Sequence, residues 1–196
     1  MPNVVFRVDA SDRIGTGHLV RCVSLAHAFR AAGATCRFLS VSDPALELAR
    51  RDGFPVDEVA QAEDAAGAGP AADALATNGA DLLVTDSYAL TEPAKATLAS
   101  FARVHVDLDD SATGGDRAAD VVLNGNVYGD RARYNGPSLL LAGPAYAPLR
   151  SAFQQVPEPE RRGVLVTMGG VDTPGATLAV LRVLEHVPSA EPTRPY

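Results

Sequence analysis

Cysteine is nearly missing from this 196-residue chain. Its two thiols, Cys22 and Cys36, are too few for a disulfide framework or a four-thiolate zinc site, so buried free thiols in a reducing compartment are expected. Positive charge is also short: 17 basic residues against 24 acidic ones leave a net charge of −7. That balance argues against a polyanion-binding surface, so neither nucleic acid nor an anionic membrane is an expected partner. Lysine is reduced to Lys95 alone, and the other basic residues are arginines, whose planar fork suits local recognition of phosphate. No stretch approaches the eighteen or so uninterrupted apolar residues of a membrane span. The N-terminus, MPNVVFRVDASD, meets charge after a short apolar run and has no signal-peptide core. A cytoplasmic protein is expected.

With 46% hydrophobic and 21% charged residues, the composition is that of a folded globular chain, long enough for one domain and part of another. Short β-branched runs recur at Asn3–Val8, Ala34–Ser40, Asp81–Asp86, Arg103–Asp107 and Ala119–Asn124, with helix-like segments between them. Near-continuous apolarity in several of them points to an α/β fold, a Rossmann-like parallel sheet covered on both faces. Leu19, Val23, Ala26 and Phe29 fall at spacings of three and four, and Gly33 follows as a stop signal, so a helix is expected there. Residues 60–72 are Ala/Gly-rich and read as a surface connection.

The sharper break is QQVPEPERR at 154–162, where two prolines and a charge run interrupt the βα pattern. We therefore expect a first domain over 1–153, a linker over 154–162 and the start of an incomplete second domain over 163–187. In that second domain an apolar strand is expected at Gly163–Thr167, followed by a helix capped by Thr173 with Pro174 in its first turn. Residues 188–196, with three prolines and no periodicity, read as a disordered tail.

The chemistry is expected after the first strand. Asp9 ends that strand, and Asp9-Ala-Ser-Asp-Arg-Ile-Gly-Thr-Gly-His18 leads straight into the helix, where ligands of open α/β sheets sit. Gly15 and Gly17 would let backbone approach a ligand closely, although the third glycine of a dinucleotide fingerprint and the lysine of a P-loop are both lacking. His18, in the first helical turn, is held neutral by the positive helix terminus and is a candidate base. Arg21 and Cys22 lie three and four residues further on, with Arg21 on the same face and able to reach an anionic leaving group. Asp9 would orient His18 or accept loop N–H groups. Asp86, Tyr88, Asp107, Asp109 and Asp110 follow other strands on the same rim, either as holders of a magnesium ion or as partners of loop N–H groups and helix caps.

The string Arg7-Val-Asp9-Ala-Ser11-Asp-Arg-Ile14-Gly15-Thr-Gly17-His18-Leu-Val-Arg21-Cys22 resembles the N-terminal signature of the pseudaminic acid biosynthesis UDP-sugar hydrolases. It is also similar to that of the related spore-coat polysaccharide proteins. Further matches follow in order at Asp86-Ser-Tyr88-Ala-Leu90, Asp109-Asp110, Leu123-Asn124-Gly-Asn126-Val-Tyr128, the segment Gly143 to Phe153 with Arg150, and Met168-Gly169-Gly170-Val-Asp172.

The resemblance implies the N-terminal half of a glycosyltransferase B-type fold, two Rossmann-like domains facing a cleft with the nucleotide held mostly by the second. It implies hydrolysis of UDP-2,4-diacetamido-2,4,6-trideoxy-β-L-altropyranose to free sugar and UDP, without metal or cofactor. His18 would be the base and Tyr88 the active-site tyrosine, with Asp9, from its place at the end of the first strand, a catalytic candidate beside them. Gly15, Gly17, Arg21, Cys22, Asp109, Asn126 and Arg150 would line the substrate site, and Gly169 and Gly170 would bind nucleotide. The alternatives are a glycosyltransferase of the same fold, in which an acceptor hydroxyl replaces water, and a non-catalytic nucleotide-sugar-binding fragment.

Overall fold

Strands and helices alternate through the first 150 residues of a computed structural model, which describes residues 1–9, 16–60, 68–111, 114–154, 164–168, 172 and 175–187. In chain order they are β1 (Asn3–Val8), α1 (Gly17–Ala31), β2 (Thr35–Val41), α2 (Glu47–Arg51), β3 (Val56–Val59), α3 (Gly69–Asn78) and β4 (Ala80–Asp86). They continue with α4 (Glu92–Ala99), β5 (Ala102–Leu108), β6 (Gly115–Asp116), β7 (Val121–Asn124), β8 (Tyr134–Asn135) and β9 (Leu139–Ala142). A first compact unit spans Met1–Arg150 and a second Ser151–Tyr196.

Seven strands form one parallel sheet in the order β3-β2-β1-β4-β5-β7-β9, while β6 and β8 pair separately. The order reverses between β1 and β4, so the loops after these two strands flank the switch point where open α/β sheets receive ligands. Side chains alternate between faces with period two. Val4, Phe6 and Val8 join Leu19, Cys22, Val23 and Ala26 of α1 in one core, with Phe6 stacked on Phe38 at 5.0 Å. Val5 and Leu83 join Leu75 of α3 and Ala94 and Leu98 of α4 in the other.

Helix α1 ends as its sequence dictates: Gly33 adopts φ 88°, a left-handed conformation that costs glycine nothing, and its N–H reaches the Arg30 carbonyl at 3.0 Å. The expected surface connection at 60–72 is corrected at its end, because α3 begins at Gly69. Pro70 fixes its first turn, and Ala71 and Leu75, four residues apart, bury one face. Residues 61–67 lie outside the described residues.

Strands β3 and β9 carry no expectation from the sequence. The first is short and charged, with Arg37 to Asp57 at 2.5 Å and Arg50 bonded to Glu58, the composition of a protected sheet edge. The second is the opposite edge strand, held by its register against β7 from Val121↔Leu139 to Asn124↔Ala142.

In the second unit, α5 runs Ala176–Leu184. The N-cap position, expected at Thr173, is held by Gly175, and the Asp172 carboxylate accepts from the N–H groups of Ala176 at 2.8 Å and Thr177 at 3.0 Å. Thr173 and Pro174 lie outside the described residues, as do 155–163 and 188–196. The strand expected at Gly163–Thr167 is also corrected: Val164–Met168 has no regular structure. A strand exists only through its ladder, and among the described residues no neighbour pairs with this segment.

Candidate functional site

Asp86, the last residue of β4, is wholly buried at 0% exposure and is the hub of the polar cluster at the switch point. Its carboxylate accepts from His18 Nδ1, from Arg21 Nε and Nη2, both at 2.5 Å, and more weakly from Cys22 Sγ at 3.5 Å. Three residues from the first two turns of α1 thus converge on one carboxylate from the neighbouring strand. A buried charge persists only when paired and hydrogen-bonded, and Asp86 is both. Burial pushes its pKa up, but the hydrogen bonds and charges of Arg21 and His18 outweigh it, leaving the group below its ordinary range.

The hydrogen bond to Asp86 sets the histidine tautomer. An ionised carboxylate only accepts, so Nδ1 donates to Asp86 in preference to accepting from Arg21 Nη2 at a longer 3.2 Å, and Nε2 carries the lone pair. His18 itself is 5% exposed, with polar neighbours rather than an apolar nest. The ring of Tyr88 packs edge-on against it at 4.5 Å between centroids.

Tyr88 is 65% exposed, yet its hydroxyl is fixed at 2.8 Å from both oxygens of Asp110. Partial burial of that end of the side chain, then the hydrogen bond and charge of Asp110, push the hydroxyl pKa up to about 12. Asp110 also takes Arg21 Nη1 at 3.0 Å. The Asp110 carbonyl is held in turn by Tyr128 Oη at 2.8 Å and Asn126 Nδ2 at 3.4 Å. The guanidinium of Arg21 is therefore spread between two carboxylates, whose attraction outweighs the desolvation that would lower its pKa.

Several expected roles change. Asp9 does not orient His18. Its carboxylate pairs with Arg7 at 2.8 Å and accepts from Ser87 Oγ and, at 3.4 Å, from the Ala89 N–H. Together with the bond from the Asp9 N–H to the Asp86 carbonyl at 3.1 Å, this clamps the loop that carries Tyr88. The physical reason is the pleat: Val8 faces α1, so Asp9 faces away from it.

Asp109 is on the rim but turned from the cluster, accepting from Arg117 at 2.6 Å, Tyr134 at 3.0 Å and Ser111 at 2.8 Å. Cys22 does not line an open site, being fully buried. Its thiol is pushed well up by burial and then by the charge of Asp86. Arg21, expected to reach an anionic leaving group, spends Nε and Nη2 on Asp86 and Nη1 on Asp110.

Gly17 opens α1, and a Cβ placed there would meet no atom within 4 Å. Arg150 lies exposed at the end of the first unit. Gly15, Gly169 and Gly170 fall outside the described residues.

The carboxylates considered for magnesium are occupied by the protein's own donors: Asp86 and Asp110 share Arg21, and Asp109 holds Arg117. Asp107 binds Lys95 at 2.7 Å and Thr85 at 2.7 Å. Among the described residues no group of three or more His, Cys, Asp or Glu side chains is placed to share a metal ion. Ser87 carried no expectation, while Asp86 and Asp110, expected on the rim as magnesium holders or loop partners, serve as the partners of His18 and Arg21. The signal for the roles of Asp86 and Asp110 lay in the alternation of side chains along β4 and β5.

No protein-family model matches the chain, and no curated protein sequence does. Among solved structures, MurG of Acinetobacter baumannii is similar with a TM-score of 0.50 at 14% identity, over 63% of this chain and 41% of MurG. The chain thus spans about two-fifths of MurG's length. At that identity the likeness is one of fold: a Rossmann-like α/β unit of the kind that makes half of a glycosyltransferase B-type molecule. No helix among the described residues is long and apolar enough to cross a membrane.

Proposed function

We propose that this chain carries the sugar-handling half of an enzyme acting on a nucleotide sugar, with His18 as the base that activates an oxygen nucleophile. The observation that carries the reading is the His18–Asp86 pair at the switch point, its tautomer set so that Nε2 is the basic nitrogen. An exposed aromatic ring, Tyr88, stands beside that nitrogen's ring, with its hydroxyl on the carboxylate of Asp110, whose carbonyl takes the amide of Asn126. Such a set of polar groups against a ring face suits a hydroxyl-rich ligand.

In the reaction, the nucleophile's O–H gives its proton to Nε2 as its oxygen attacks the anomeric carbon. The bond from that carbon to the phosphate oxygen breaks, and the nucleoside diphosphate leaves with the electron pair. A single displacement inverts the anomeric carbon. Asp86 keeps the imidazole oriented and stabilises the imidazolium that forms. The glycosyltransferase B-type fold favours an acceptor alcohol as the nucleophile.

A second reading has its own observation. The string from Arg7 to Cys22, with Asp86-Ser-Tyr88, resembles the pseudaminic acid biosynthesis UDP-sugar hydrolases, for which water is the nucleophile and a UDP-linked diacetamido-trideoxy sugar the substrate. UDP release from UDP-sugars, followed with and without added alcohols, separates the two: the transferase needs the acceptor and the hydrolase does not. In either case His18→Asn lowers turnover on the order of 10²–10⁴-fold. Full turnover in that variant ends the base assignment. Hydrolysis in ¹⁸O-water places the label on the sugar; label on UDP means attack at phosphorus and a different enzyme.

A further inference from the structure

The charge at the centre of this site runs against the phosphate end of a nucleotide sugar. Among the described residues, the groups joined around His18 are the carboxylates of Asp86 and Asp110 and the single guanidinium of Arg21, bonded to both. The neighbouring Arg7–Asp9 pair is self-neutralising. With a neutral imidazole these described groups sum to one negative charge in excess, at the place where the ligand meets the histidine.

Asp86 is sealed, but the side chain of Asp110 is 23% exposed and is the negative group that a ligand would encounter. Its position is built. Tyr128 and Asn126 hold its carbonyl, while Tyr88 and Arg21 hold its carboxylate.

We infer that Asp110 is a specificity-determining residue: it admits the neutral or cationic sugar of a nucleotide sugar beside Tyr88 and His18, and rejects sugars that bear a carboxylate. The inference rests on the reading that this cluster takes the sugar portion. Asp110 retains acceptor capacity for a ligand hydroxyl or N–H, so it rewards donors and repels a second anion. Like charges within a few ångströms at a protein surface interact strongly enough to cost a uronate sugar at least about tenfold in affinity. A diphosphate placed here would meet the same repulsion, so the phosphates belong outside the cluster.

The test uses nucleotide sugars whose sugar is neutral, cationic or anionic: UDP-glucose and UDP-N-acetylglucosamine, UDP-glucosamine, and UDP-glucuronic acid, the last differing from UDP-glucose only by oxidation of C6 to a carboxylate, with UDP alone as reference. Each is titrated into the full chain, and the ring signals of His18 and Tyr88 are followed by NMR. The expected result is that the neutral and ammonium-bearing sugars bind about tenfold or more tighter than the uronate. The gap shrinks to within about threefold in Asp110→Asn and persists in Tyr88→Phe, which removes the hydrogen bond but keeps the charge.

Equal affinity of wild-type protein for neutral and acidic sugars overturns the inference without any variant, as does a gap that Asp110→Asn leaves unchanged. In both cases the sugar-site reading stands. If no sugar moves the His18 and Tyr88 signals beyond what UDP does, the sugar-site reading fails, and the inference with it.

Discussion

Replacing Asp86 by asparagine keeps the shape of the side chain and removes its charge. The wild-type carboxylate accepts from His18, twice from Arg21 and once from Cys22. An amide has one acceptor oxygen and would turn its own N–H₂ toward one of these donors. Removing one partner of a buried ion pair usually costs about 3–5 kcal/mol, because the other charge is left uncompensated. Arg21 retains Asp110 at 3.0 Å and its side chain is 22% exposed, so the loss here should be nearer 2–3 kcal/mol. For a unit of about 150 residues that corresponds to a fall in Tm of roughly 4–12 °C.

The pH dependence of the same variant has a definite sign. Asp86 lies below its ordinary value of 3.8, since the bonds from Arg21 and His18 outweigh the desolvation that would raise it. A carboxylate depressed by folding contributes stability that is present above its unfolded pKa and lost as the pH falls through the folded one. The gap between wild type and Asp86→Asn, measured by urea unfolding, should therefore be full at pH 7 and narrow once the pH drops below about 3.8. A loss under about 0.5 kcal/mol at pH 7, within the range of an ordinary surface substitution, would refute the hub. So would a gap that stays constant in acid.

Other substitutions separate support from contact. Gly17→Ala places a methyl where nothing lies within 4 Å, so thermal melts should show stability unchanged or slightly raised; a weakened response of His18 to UDP-sugars would then mark space used by ligand. Lys95→Met strands the buried carboxylate of Asp107 and should cost about 3 kcal/mol by denaturant unfolding, most of it recovered when Asp107→Asn is added. Phe6→Ala, at a fully buried ring stacked on Phe38, should cost about 3–5 kcal/mol, and an effect below about 1 kcal/mol would mean that the core is not packed as described.

Much of the sheet was legible because the local signal and the tertiary outcome agree. The runs at Asn3–Val8 and Asp81–Asp86 are apolar on both faces since helices cover both. What could not be read was decided by partners distant in sequence. Val56–Val59 has two charges among its four residues and becomes a strand only because β2 offers it an edge from Phe38↔Val56 to Val41↔Val59. The apolar run after residue 163 has the opposite fate. It has strand composition but finds no edge among the described residues, so composition alone forms nothing.

The carboxylates show how close the site came to being legible. Five aspartates, at positions 9, 86, 107, 109 and 110, crowd one rim, and their types and strand-end places do not distinguish them. Parity does. Helix α1 follows β1 and covers the face to which Val4, Phe6 and Val8 point, so Asp9, one residue on, must face α3 and α4. Val8 pairs with Asp86 in the register of β1 and β4, which puts Asp86 on the α1 face, under His18 and Arg21.

The same count along β5 carries Val106 and Leu108 to the α1 face and Asp107 to the other. The alternation persists beyond the strand, sending Asp110 to Arg21 and Asp109 to Arg117. The one datum absent from the sequence is the register between β1 and β4, which are separated by some 70 residues. A slip of one residue in that register would exchange Asp86 for Thr85 beneath His18, leaving the histidine facing a hydroxyl instead of a carboxylate. The packing that fixes the register, apolar residues of β4 buried against helices on both sides, is therefore also what assigns His18 its partner.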